Sequence, residues 1–110
     1  MTSDEELMVR VSRGDDAALA TLVERFRGGL YGFLTRRAAA ADADDLFQET
    51  WLRVVRYRDR FDPERRFSTW LFQIAKNLCR DRARRRGVRH RHREAAETEA
   101  REEPARRATA

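Results

Sequence analysis

At 110 residues and 13.0 kDa, the chain has room for one small domain and a tail, with 41% hydrophobic and 39% charged residues. No apolar run approaches the ~20 residues that span a bilayer, the acidic start over residues 1–7 lacks the basic-then-apolar order of a secretory signal, and the single cysteine, Cys79, excludes an intrachain disulfide. A cytosolic protein with no membrane contact is the expectation.

In chain order, the first predicted helix is short, residues 4–13. Ser3 and Glu6 make a capping box before it, and Gly14 is a natural stop. Asp15 or Asp16 then caps a longer second helix reaching about Ala39. Its apolar residues Leu19, Leu22, Val23, Phe26, Leu30, Phe33 and Leu34 follow a 3.6-residue period. Gly28, Gly29 and Gly32 each weaken that helix by ~1 kcal/mol relative to alanine, which suits a bend or a closely packed neighbouring helix.

Asp42, Asp44 and Asp45 place negative charge at the start of a third helix, residues 43–57, where it complements the helix dipole. Leu46, Phe47, Thr50, Trp51, Val54 and Val55 give this helix more apolar surface than one buried stripe requires, so part of it is expected to face a partner. Asp62-Pro63 marks a loop over residues 58–66. Ser68 or Thr69 caps a fourth helix reaching about Arg86, with Leu71, Ile74, Ala75 and Leu78 as its core stripe and Gly87 as its end. Beyond it, Val88 is the only aliphatic side chain larger than alanine, so residues 88–110 are expected to be a linker or tail, disordered or marginally helical. The expected fold class is all-α, a compact bundle of about four helices.

Charge changes sign along the chain. Residues 1–50 carry a net −4, residues 51–93 a net +11 and residues 94–110 a net −2. An acidic front and a basic back imply two charged faces with different partners. All basic residues but Lys76 are arginine, whose planar fork suits phosphate and base-edge contacts. GC-rich codons would give the same preference over lysine, but not the clustering.

The two faces can be assigned to residues. On the third helix, Asp45, Gln48, Glu49 and Leu52 fall on adjoining turns and form a strip able to dock on a basic partner around a dry centre. Asp42, Asp44, Asp45 and Glu49 also offer oxygen ligands, yet no second acidic cluster or phosphate-cradling loop joins them, so capping and docking explain them better. On the fourth helix, Trp70, Gln73, Asn77, Arg80, Asp81 and Arg84 fall within about a quarter-turn at 100° per residue. That stripe combines an aromatic that stacks, amides that read base edges and guanidiniums that bind phosphate, with Arg82, Arg85 and Arg86 widening the basic field; Trp70 would serve equally as a core aromatic. Around the loop, Arg58, Arg60, Arg65 and Arg66 surround Tyr57, Phe61 and Phe67, a composition suited to holding an extruded base. Phe61 and Phe67 would equally well be packing residues that close the loop. Cys79 occupies a packing position, and His90 and His92 are too few to make a metal site. No nucleophile, acid–base pair or ligand cluster assembles, so neither an enzyme nor a cofactor is expected.

Two stretches carry a family resemblance. Asp44-Asp45-Leu46-Phe47-Gln48-Glu49-Thr50-Trp51-Leu52-Arg53-Val54-Val55 resembles the polymerase-binding helix of bacterial RNA polymerase sigma factors. Arg60-Phe61-Asp62-Pro63 followed by residues 67–81, FSTWLFQIAKNLCRD, resembles the next element in their extracytoplasmic-function group, and the step RGDDAA at residues 13–18 also fits. The resemblance covers about residues 4–86. It implies that Asp45, Leu46, Gln48, Glu49 and Leu52 bind core RNA polymerase on a coiled coil of its largest subunit. It implies further that Arg58, Arg60, Phe61, Arg66, Phe67, Trp70, Gln73, Asn77, Arg80 and Arg84 recognise and melt the promoter's −10 element, with partly single-stranded promoter DNA as ligand. An anti-sigma protein is a further partner by resemblance alone. Residues 1–86 would then be the region 2 domain and residues 87–110 a linker. The helix-turn-helix domain that family members carry after it has no counterpart in these residues. Taken alone, the arginine-rich half would also suit a nonspecific, nucleoid-type nucleic-acid-binding protein.

Overall fold

The computed structural model describes the backbone of residues 1–101 and the side chains of residues 1–87. It contains α1 (Asp4–Ser12), α2 (Asp16–Arg37), α3 (Ala40–Arg56), a single 3₁₀ turn (Arg58–Arg60) and α4 (Phe67–Arg101), with no strand among the described residues. The all-α expectation holds.

Local chemistry accounts for most boundaries. Ser3 Oγ accepts from the Glu6 N–H at 3.1 Å and starts α1. Gly14, at φ +90°, ends it. Its N–H donates to the Val11 carbonyl and the following Asp15 N–H reaches back to the Arg10 carbonyl, the paired bonds of a Schellman cap. Asp15 then caps α2 through Oδ1, which accepts from the Ala18 N–H at 3.1 Å.

Three sequence expectations need correction. First, α3 begins at Ala40, three residues early, with Ala39 as a cap that offers no side-chain hydrogen bond. The alanine run has the highest helix propensity of any residue type and extends the helix backwards. Asp42 therefore lies inside the first turn, only 9% exposed, still at the positive end of the dipole. Second, Ser68 and Thr69 lie within α4 instead of capping it. The Arg66 carbonyl accepts the first helical bond, from Trp70, and the Phe67 N–H donates to Glu5 Oε2 of α1 at 2.7 Å. Third, α4 does not stop at Gly87 but runs to Arg101. A single interior glycine costs ~1 kcal/mol, and the Ala, Arg and Glu residues on either side favour helix. Residues 102–110 of the expected tail lie outside the described residues.

The chain divides into two units, Met1–Cys79 and Arg80–Ala110. The first holds the hydrophobic core. Its fully buried side chains come from every helix, among them Met8, Leu22, Leu34, Leu46, Val54, Phe67 and Leu71. Phe67 is the aromatic centre: Phe26 and Phe61 meet it edge-on at 5.6 and 5.8 Å, Trp51 stacks at 6.4 Å and Trp70 tilts against it at 6.1 Å. The Thr50 hydroxyl, buried beside this core, donates to the Leu46 carbonyl at 2.7 Å and so costs little to bury. Cys79 packs at the core's edge, 7% exposed.

The glycines of α2 are not explained by close packing. A Cβ at Gly28 would meet nothing within 4 Å, one at Gly29 only the Phe72 ring at 3.9 Å, and one at Gly32 only the mobile end of Arg36 at 3.3 Å. In the second unit, Arg80, Arg84, Arg85 and Arg86 are exposed, and Arg84 Nη2 lies 3.8 Å from Asp81 Oδ1.

Candidate functional site

The outer side of α3 is one candidate surface. A helix buries one stripe, and on α3 that stripe takes Ala43, Leu46, Phe47, Thr50, Trp51 and Val54. Asp45, Gln48 and Leu52 are left exposed and Glu49 half-exposed beside them. Leu52 is 63% exposed, the largest apolar side chain in the open apart from Met1 among the described residues. Leu46, expected on this surface, is 1% exposed and belongs to the core. Its spacing from Phe47 and Thr50 turns it inward, so no partner reaches its side chain. Glu49 Oε2 lies 3.6 Å from Arg53 Nε along the helix, too long for a hydrogen bond, and Arg53 Nε has no hydrogen-bond partner. This is a loose charge pair, and the carboxylate is free to turn to another cation.

Beside this strip lies a groove of about 350 Å³, almost wholly apolar, between Leu19 and Val23 of α2 and Phe47, Gln48, Trp51, Leu52 and Val55 of α3. Trp51 Nε1 is buried in its wall without a hydrogen-bond partner. Gln48 and Leu52 are thus the outer lip of a larger feature. Leu19 and Val23 were missed as surface residues because their spacing reads as core. The signal was the two-residue link Ala38–Ala39, which makes α2 and α3 neighbours in space.

The start of α4 and the loop before it form the second candidate surface. Asp62 Oδ1 accepts from the Glu64 N–H at 3.0 Å and Pro63 sets the bend, so the loop turns tightly back toward α4. Phe61 and Phe67 are corrected here. At 8% and 0% exposed they close the loop onto the core and offer no face to a base. Trp70 is half-buried, its ring tilted against Phe61 at 5.2 Å, and keeps part of its surface in solvent. One and two turns along, exposed Gln73 donates from Nε2 to Oδ1 of half-exposed Asn77 at 3.4 Å. Trp70, Gln73 and Asn77 are therefore brought together.

The loop arginines divide by role. Arg58 Nη1 donates to the Val55 carbonyl at 2.9 Å and caps the end of α3, which ties up one edge of its guanidinium. Arg60 is exposed and lies over the Tyr57 ring, 4.8 Å from its centroid. Arg66 is exposed and lines a cleft of about 420 Å³ with Arg65, Glu64 and Pro63 on one side and Ser3, Glu5, Glu6 and Val9 on the other. Glu5 carried no local pattern that would single it out, because its partner is 62 residues away. Arg80 and Arg84 fall in the second unit, both exposed.

Known proteins resemble this chain in sequence and fold. The family model for sigma-70 region 2 matches residues 22–89. An ECF RNA polymerase sigma-E factor of Haemophilus influenzae is 35% identical over 79 residues, 72% of this chain and 42% of the relative. The ECF RNA polymerase sigma factor SigW of Bacillus subtilis is 36% identical over 87 residues, 74% of this chain and 46% of the relative. The chain thus spans less than half the length of the curated relatives it matches. Among solved structures, an engineered region 2 of sigmaE in complex with GTAAAA superposes with a TM-score of 0.74 at 34% identity, covering 80% of this chain and 93% of that one. CnrH in complex with the cytosolic domain of CnrY gives a TM-score of 0.65 at 32% identity, covering 73% of this chain and 53% of that one.

Proposed function

This chain belongs to the sigma-70 region 2 family, in its extracytoplasmic-function group, and from that premise we propose that it holds core RNA polymerase with one surface and captures the unpaired −10 element of a promoter with another. The observation that carries the second half is the Trp70–Gln73–Asn77 stripe on a domain whose solved relative is bound to GTAAAA. Opening a duplex costs a few kcal/mol for each unstacked base. Stacking a base on an aromatic returns ~1–3 kcal/mol, and Trp70, half-buried on α4 beside Gln73 and Asn77, keeps surface in solvent to do so. Gln73 and Asn77 supply amide donors and acceptors for base edges, and Arg60 and Arg66 supply charge for phosphates.

On the first surface, the acidic strip of Asp45, Gln48 and Glu49 and the lip at Leu52 suit a basic coiled coil with an apolar seam, assigned to the largest polymerase subunit. The apolar groove gives that contact a dry centre, and the acids give it register and speed of encounter. The domain supplies binding, and the bond-making chemistry is left to the polymerase. An anti-sigma protein is a further partner, proposed from the likeness to CnrH, which is solved with the cytosolic domain of CnrY.

Two measurements test this reading together. The chain should co-purify with bacterial core polymerase, and Gln48→Ala with Glu49→Lys should abolish that capture. It should also retain a single-stranded −10 oligonucleotide in preference to duplex of the same sequence. Binding to duplex of any sequence, with a steep salt dependence and no polymerase capture, would establish the nonspecific nucleic-acid-binding alternative instead.

A further inference from the structure

A helix leaves its first N–H groups without partners, and the residue at its N-cap usually supplies an oxygen for one of them. On α4 that position is Arg66, whose carbonyl takes the bond from Trp70 but whose side chain is all donor. The need is sharper than usual, because the Phe67 side chain is wholly buried and its N–H lies in a partly buried setting. The group that meets it is the Glu5 carboxylate of α1, at 2.7 Å from the Phe67 nitrogen. The preceding residue, Asp4, reaches α2 instead, with Oδ1 accepting from Arg25 Nη1 at 2.9 Å. Two successive carboxylates thus tie α1 to two different helices. Glu5 also lines the cleft whose other wall is residues 63–66 of the loop. Residues 4–12 lie outside the family-model match, which begins at residue 22.

We infer that Glu5 is a positioning residue for single-strand capture: it caps α4 from outside and so holds the first turn, with Trp70 on it, in the attitude that a base requires. This rests on the reading of Trp70, Gln73 and Asn77 as the base-binding stripe. Trp70 follows Phe67 by one turn, and Phe61, which packs on both, closes the loop against the same turn. Without the carboxylate, the first turn frays from its N-terminus, and Trp70 is the residue whose backbone bond goes next. Glu6, exposed on the same helix and facing the same cleft, makes no such bond and serves as the control.

The experiment compares the parent with Glu5→Ala, Glu5→Gln and Glu6→Ala by amide hydrogen exchange and by binding of a fluorescent single-stranded GTAAAA hexamer. Glu5→Ala should exchange the amides of Phe67 and Trp70 about five- to tenfold faster, leave those of α2 and α3 unchanged, and bind the hexamer about five- to tenfold more weakly. Glu5→Gln, which keeps an acceptor without its charge, should fall between, and Glu6→Ala should match the parent. Parental exchange at Phe67 and Trp70 in Glu5→Ala overturns the cap. Faster exchange with unchanged hexamer binding overturns the positioning role while leaving base capture intact. A parent that ignores the hexamer sinks the base-capture reading, and the positioning role with it.

Discussion

The groove between α2 and α3 and the aromatic cluster at the start of α4 are built from similar side chains put to opposite uses. At the groove, the core is already satisfied by Leu46, Trp51 and Val54, and Leu52 and Val55 remain outside it. At the start of α4, Phe61 and Phe67 are drawn inside, and Trp70 keeps solvent contact. The residues available for binding are those the core did not need. Spacing and resemblance mark five candidates on the first surface and ten on the second, and packing selects among them.

Substitutions can break or sharpen that contrast. The largest effect is expected at Phe67→Ala, which empties the aromatic centre and should lower stability by about 3–5 kcal/mol in denaturant unfolding. A loss under 1 kcal/mol would mean the ring is dispensable to the core. Leu46→Ala and Leu52→Ala form the next test, six residues apart on one helix. The first should cost about 2–5 kcal/mol of stability. The second should change stability by less than about 0.5 kcal/mol but weaken polymerase capture at least tenfold, near 1.4 kcal/mol or more. Equal effects on folding would erase the distinction between core and lip. Trp70→Ala should reduce single-strand binding by about 1–3 kcal/mol, with Trp70→Phe recovering part of it in the same fluorescence titration. Smallest is Gly28→Ala. With no atom near the added methyl, it should raise stability by about 1 kcal/mol and the Tm by roughly 4–8 °C, leaving both binding activities at the parental level.

Four helices, their order and the caps of the first two were legible because each depends on a few neighbouring residues. Ser3, Gly14 and Asp15 act on backbone groups no more than a turn or so away. The acidic and basic faces were legible for the same reason, since i, i+4 spacing places Gln73 beside Asn77 whatever the rest of the chain does. Helix ends governed by weak competition were less legible. The alanine run pulled α3 back to Ala40, and one glycine could not halt α4.

Only the tertiary structure decided what lay between elements. An amphipathic pattern shows that a phenylalanine needs cover but not whether the cover is its own core or a ligand, so Phe61 and Phe67 stood open until burial closed them. The groove exists because α2 and α3 are neighbours, and neither helix shows it alone. The cap on α4 comes from Glu5, 62 residues upstream. Short-range hydrogen bonds and helical periodicity are written into the order of residues. Which side chains remain exposed, and which distant carboxylate meets an orphan N–H, depends on how the helices pack.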